Sequence, residues 1–128
     1  MTEKDINRIL RKYLAFFRKH KKTFKRLGKG RQRDVFRVGD YVIKVPLNLD
    51  CVADNEHEAY MYRLSQREKG HHPMAKCRMF AGLLLIMEYV EPTRKSYNEL
   101  PSWVGFVDCG QVGLTKDGSL VAYDYGLL

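Results

Sequence analysis

One lysine stands in an otherwise apolar run, Tyr41-Val42-Ile43-Lys44-Val45. Strand side chains alternate between faces, so Lys44 points away from the face that holds Ile43 and Val45. Upstream, Gly28-Lys29-Gly30 lies between two strand-like segments. Residues without side chains let backbone N–H groups lie directly over phosphate oxygens. A lysine ammonium near such a loop suits a polyphosphate, and it calls for a helix carboxylate as partner. Glu56 and Glu58 are the candidates. Glu58 is favoured, because Met61 and Tyr62 follow it at i+3 and i+4 and can pack beneath it. The plain alternative is a solvent-facing lysine on a half-buried strand and two surface carboxylates.

These residues need a scaffold. Ile6, Ile9, Leu10, Tyr13, Leu14 and Phe17 recur with helical period, which predicts one amphipathic helix over residues 3–22. Thr2 and Asp5 have the spacing of a capping box, with Asp in place of Glu. From Phe24 the period changes to two. Phe24–Leu27, Val35–Val38 and Tyr41–Val45 read as strands, with Gly39-Asp40 as the turn between the last two. Asp54–Arg67 reads as a second helix, and Lys76–Phe80 and Leu83–Tyr89 as strands joined by Ala81-Gly82. Pro92–Pro101 is a polar connection. Gln111–Thr115 and Ser119–Tyr123 are strands around Lys116-Asp117-Gly118. The organisation is a basic helix at 1–23, a sheet and helix at 24–92, and a linker with hairpin at 93–128.

The chain has 128 residues and a net charge of +8. That charge is unevenly spread. Residues 1–33 hold 13 Lys/Arg and 2 Asp/Glu, whereas residues 34–128 hold 10 and 13. The asymmetry points to an acidic partner for the N-terminal part: an acidic protein face, nucleic acid or anionic lipid. No aromatic platform is interleaved with the basic residues in the sequence, which disfavours nucleic acid. No apolar run approaches the roughly 18 residues of a membrane span, and the N-terminus lacks a signal-peptide layout. Cys51, Cys77 and Cys109 are odd in number and have no CxxC spacing, as expected of reduced thiols in a cytoplasmic protein. Cys77 with His71 and His72 has no zinc-ligand spacing.

The most specific stretch is Leu83 to Pro92, a buried strand that turns polar at Glu88 and meets proline. Gly28, Gly30 and Val35 fall on the spacing G-x-G-x-x-G-x-V, and Asp124-Tyr125-Gly126 follows the last strand. In this order the segments resemble the protein-kinase-like fold, of a short, atypical kind similar to phage or bacterial kinase-like proteins. The resemblance covers roughly residues 24–92 as the amino-terminal lobe and 104–126 as the strand pair below it. It implies an α+β class: a kinase N-lobe-like antiparallel sheet with one packed helix, an extra N-terminal helix and a C-terminal β-hairpin. It makes Met87 the gatekeeper and Glu88 and Val90 the adenine contacts. Gly28, Lys29, Gly30, Lys44 and Glu58 become phosphate-end residues, and Asp124 and Gln111 the metal ligands. ATP and Mg2+ are the cofactors it implies. The third glycine position is Arg33, so Arg31 and Arg33 are expected either to touch phosphates or to be solvated.

The pattern breaks at the catalytic loop, H-R-D-x-x-x-x-N. Five residues before Gln111 stands Phe106, and two before that Val104. Neither orients a substrate hydroxyl, and Asp108 is the one nearby carboxylate left as a base. The chain ends two residues after Gly126, so the resemblance also implies a missing carboxy-terminal lobe. The expectation is a pseudokinase that binds nucleotide and acts through a protein partner such as a host kinase or regulatory protein. A small phosphotransferase and a nucleic-acid-binding protein are the alternatives, and the lower apolar surface is expected to be covered by the N-terminal helix or by a second copy.

Overall fold

In the computed structural model the described residues are 1–107 and 111–123. Helix α1, Glu3–Lys19, opens with the capping box: the Thr2 hydroxyl accepts from the Asp5 N–H and the Asp5 carboxylate accepts from the Thr2 N–H, both at 3.2 Å. It stops three residues earlier than the periodicity predicts. The His20 N–H still bonds the Phe16 carbonyl, but Thr23 and Phe24 then turn back onto the His20 carbonyl. The main sheet is antiparallel in the order β1 (Lys25–Lys29), β2 (Arg33–Val38), β3 (Tyr41–Pro46), β5 (Leu84–Glu88), β4 (Cys77–Phe80). The β4–β5 turn uses two left-handed residues, Ala81 (φ 55°) and Gly82 (φ 70°), as tight hairpins require. Helix α2, Val52–Arg67, links β3 to β4 after a single 3-10 turn capped by Asn48.

The second sheet is β6 (Glu91–Pro92), β7 (Val112–Leu114) and β8 (Leu120–Ala122). Its first strand ends on Pro92, where the sequence presents the start of a polar connection. Gly113 makes that pairing possible: a Cβ there would run into the Glu91 carbonyl and the Val90 side chain. Strand β8 also joins the 73–75 segment through Ala75 N–H to Ala122 C=O (2.8 Å) and Ala122 N–H to Pro73 C=O (2.9 Å).

Alternation along the strands sorts two cores onto opposite faces of the main sheet. On the outer face Phe36, Val45 and Leu84 pack with Leu10, Leu14 and Phe17 of α1. On the inner face Val42, Leu85 and Met87 pack with Ala59 of α2 and with Val112, Val121 and Ala122 of the second sheet. The apolar stripe of α1 is therefore buried against the sheet, at roughly 1.5–3 kcal/mol for each large side chain. Among the described residues no helix is long and apolar enough to cross a membrane.

Candidate functional site

Lys44 lies on the inner face, opposite Ile43 and Val45, as the alternation requires. Its ammonium donates to both Glu58 oxygens, at 3.0 and 3.2 Å. A third bond, 3.1 Å to the Tyr123 carbonyl, ties β3 to the end of β8. Of the two candidate carboxylates it is thus Glu58 that meets Lys44; Glu56 stays exposed.

Arg33 is not solvated. Its guanidinium donates to Glu58 at 2.7 Å and to the Asn55 side-chain carbonyl at 3.0 Å, and its side chain lines the same cavity as Lys44. Asn55 then donates to the backbone carbonyls of Lys44 (3.1 Å) and Leu83 (3.0 Å). The result is a connected polar network joining β2, β3, α2 and the start of β5. Burial alone would raise the Glu58 carboxyl pKa, but Lys44 and Arg33 together outweigh it and hold it below its ordinary 4.5. Sequence reasoning missed Asn55, although its position one turn before Glu58 places both on one helix face.

The network closes the polar end of a cavity of about 550 Å³. Leu27, Gly28, Val35 and Val42 form its roof, Met87 its back, and Glu88 to Val90 the connecting side; Pro92, Gln111 and Tyr123 complete the floor. Gly28 and Lys29 belong to β1 itself, so only Gly30 lies in the turn, where its N–H bonds the Arg33 carbonyl at 2.9 Å. A β-bulge between Arg26 and Gly28 marks the change from paired strand to cavity roof.

The connecting segment is pinned from outside. The Glu88 N–H bonds the Lys76 carbonyl (2.9 Å) and the Tyr89 N–H bonds the Asp40 carbonyl (2.8 Å). Arg37 stacks 3.6 Å over the Tyr89 ring, and the Tyr89 hydroxyl donates to Glu91 at 2.8 Å, which raises the phenol above its usual 10.0. Among the described residues nothing bonds the Val90 N–H. Val90 lines the cavity, and its free N–H suits a heterocycle edge.

Asp108 and Asp124 lie outside the described residues. Gln111 is on the cavity floor, but the described residues contain no group of three His, Cys, Asp or Glu able to hold a metal. Phe106 ends a 3-10 turn, Ser102–Phe106, and is 79% exposed. A second cavity, about 490 Å³, opens beside Glu88 between Tyr62, Lys76 and the β7–β8 turn. Its charged side chains are exposed or half-exposed, so it lacks the buried charge network of the first.

No protein-family model and no curated protein matches the chain. Solved structures do match. The chain aligns with the streptomycin–ATP ternary complex of APH(2'')-IIa at a TM-score of 0.50 and 22% identity, over 70% of this chain and 34% of that one. It aligns equally with the ADP-bound aminoglycoside phosphotransferase APH(2'')-Ib, at a TM-score of 0.50 and 22% identity, over 72% and 33%. The fold is therefore protein-kinase-like, and the chain spans about a third of the length of the solved chains it matches.

Proposed function

We propose that the chain is a kinase-like nucleotide-binding module that acts by binding a macromolecular partner rather than by transferring phosphate. The observation that carries the nucleotide reading is Lys44, held by Glu58 and the Tyr123 carbonyl at the polar end of an apolar cleft. In that reading the purine lies between Leu27, Val42 and Met87, its edge on the Glu88 carbonyl and the Val90 N–H. The phosphates extend toward Gly28, Gly30 and Lys44. ATP is the nucleotide proposed, and the two solved structures that share the fold hold ATP and ADP. Gln111, with Asp124, is the proposed metal-binding pair. The pseudokinase part rests on Phe106, which occupies the catalytic-loop position where an aspartate would orient the acceptor.

The test is thermal stabilisation by millimolar ATP with Mg2+. A ligand at 100 times its Kd stabilises by about 2.7 kcal/mol, enough to move the midpoint by several degrees. Stabilisation in the parent chain that is lost in Lys44→Ala supports the cleft as the site, and no shift in the parent removes the nucleotide reading. The same intact Lys44–Glu58 pair favours a second reading, a small phosphotransferase with Asp108 as base. Phosphate incorporation abolished by both Lys44→Ala and Asp108→Asn would establish it.

A further inference from the structure

Between Ile6 and Arg33 the sequence has twelve Lys and Arg and no Asp or Glu. Part of that charge is consumed inside the fold. Arg18 and Arg26 hold the buried Asp34, both at 2.9 Å, and Arg33 holds Glu58. Arg11, Lys12, Lys19, Lys21, Lys22 and Lys25 are exposed, and no ion pair engages them among the described residues. They run along the solvent side of α1, through the turn after it, and onto the edge strand β1. Asp34 draws Arg18 and Arg26 together, which makes that surface continuous. Like charges a turn apart weaken a helix, and nothing described in the chain offsets these.

The structure adds what the sequence does not show, an aromatic platform within the basic face. Phe16 is 50% exposed, and its ring lies against the His20 ring at 4.2 Å between centroids. Lys12 and Lys19 stand at i−4 and i+3 from Phe16, so two cations flank an exposed ring, with His20 at i+4.

Three occupants compete for such a surface. Lipid insertion needs the apolar stripe of α1, which is already packed on Phe36, Val45 and Leu84. A protein interface has an apolar centre depleted in lysine, whereas five of the six free cations are lysines. Phosphates take lysine as a point charge, and a base stacks on an exposed ring. We infer that this surface binds single-stranded nucleic acid, with backbone phosphates on the lysines and a base on Phe16–His20. The inference is independent of the nucleotide reading, because α1 lies on the face of the sheet opposite the cleft.

Fluorescence anisotropy of the full chain with a labelled oligothymidylate tests it. With about four phosphates engaged, the logarithmic salt slope is about −2.8, and affinity falls about 50-fold from 50 to 200 mM salt. Lys12→Glu/Lys19→Glu/Lys22→Glu should weaken binding at least about tenfold. Phe16→Leu, which keeps the apolar contact with Phe17 and Phe24 but removes the π face, should weaken it about fivefold with the salt slope unchanged. Circular dichroism of each variant, matched to the parent, separates lost binding from lost fold. The inference is overturned by absence of binding at 50 mM salt, by equal affinity for duplex or for a polyglutamate of matched charge, or by full affinity in Phe16→Leu. The last two outcomes would assign the surface to an acidic protein or to plain charge screening.

Discussion

Helix α1 meets the sheet with Leu10, Leu14 and Phe17, whereas α2 meets the opposite face with Asn55, Glu58 and Ala59 and buries Val52, at its start, in the outer core. Half of what α2 buries is polar, and its hold on the sheet passes through hydrogen bonds to Arg33, Lys44 and two backbone carbonyls. Apolar contact is tolerant of small shifts, but a buried charge network is all or nothing, because each group left unpaired costs its full desolvation. Helix α1 is thus fastened mainly by oil, with the single Arg18–Asp34 pair near its end, and α2 largely by hydrogen-bond geometry. The cleft lies on the α2 face, where side-chain positions are held to hydrogen-bond tolerance.

That contrast can be broken most forcefully at Glu58. Glu58→Ala leaves Lys44 and Arg33 buried without their carboxylate and should destabilise the chain by about 3–5 kcal/mol in urea unfolding. Loss below about 1 kcal/mol would mean that water replaces the carboxylate and that the network adds little. On the other face, Leu10→Ala removes a fully buried side chain and should cost about 3 kcal/mol through the cavity it opens. It should leave any ATP-induced stabilisation intact, since Leu10 touches only the outer core. A coupled loss of nucleotide response would show that the two faces are not independent.

Acid sharpens the same comparison. The Glu58 carboxyl is held below its ordinary 4.5, so the stability it contributes is present above that value and is lost as pH falls through the lower, folded-state value. Amide protection in α2 should therefore decay as pH falls below 4.5, and that acid-dependent loss should disappear in Glu58→Gln. Unchanged acid sensitivity in Glu58→Gln would sink this prediction. The smallest effect belongs to the helix cap: Thr2→Ala should cost about 1 kcal/mol, confined to the first turn of α1 and visible as faster exchange there.

The outer face was legible in the sequence because apolar residues advertise a buried helix by their period. The hairpin turns and the inward aim of Lys44 were legible for the same reason, since alternation and turn chemistry are local. The polar docking of α2 was not. Asn55 and Glu58 look like surface residues, and Arg33, their partner, is more than 20 positions away. Arg18 and Arg26 likewise pass for solvated charge until Asp34 is seen between them. Lys29 and Gly30 look like a phosphate loop, but much of that segment is ladder, because β1 runs through Lys29. Phe16 falls outside the apolar stripe, and its half-exposed ring set against Phe24 and His20 emerges only from the turn after α1.

Arg33 and Asp34 are consecutive in β2 and point to opposite faces, the first to Glu58 and the second to Arg18 and Arg26. A slip of β2 by one residue would exchange them. Asp34 would then confront Glu58, and Arg33 would confront two arginines, all of them buried or half-buried. Three attractive contacts would become three repulsive ones in one step. This neighbouring pair of opposite charges therefore acts as a proofreading mark for strand alignment, rejecting a misregistered chain that hydrophobic pattern alone would penalise less sharply.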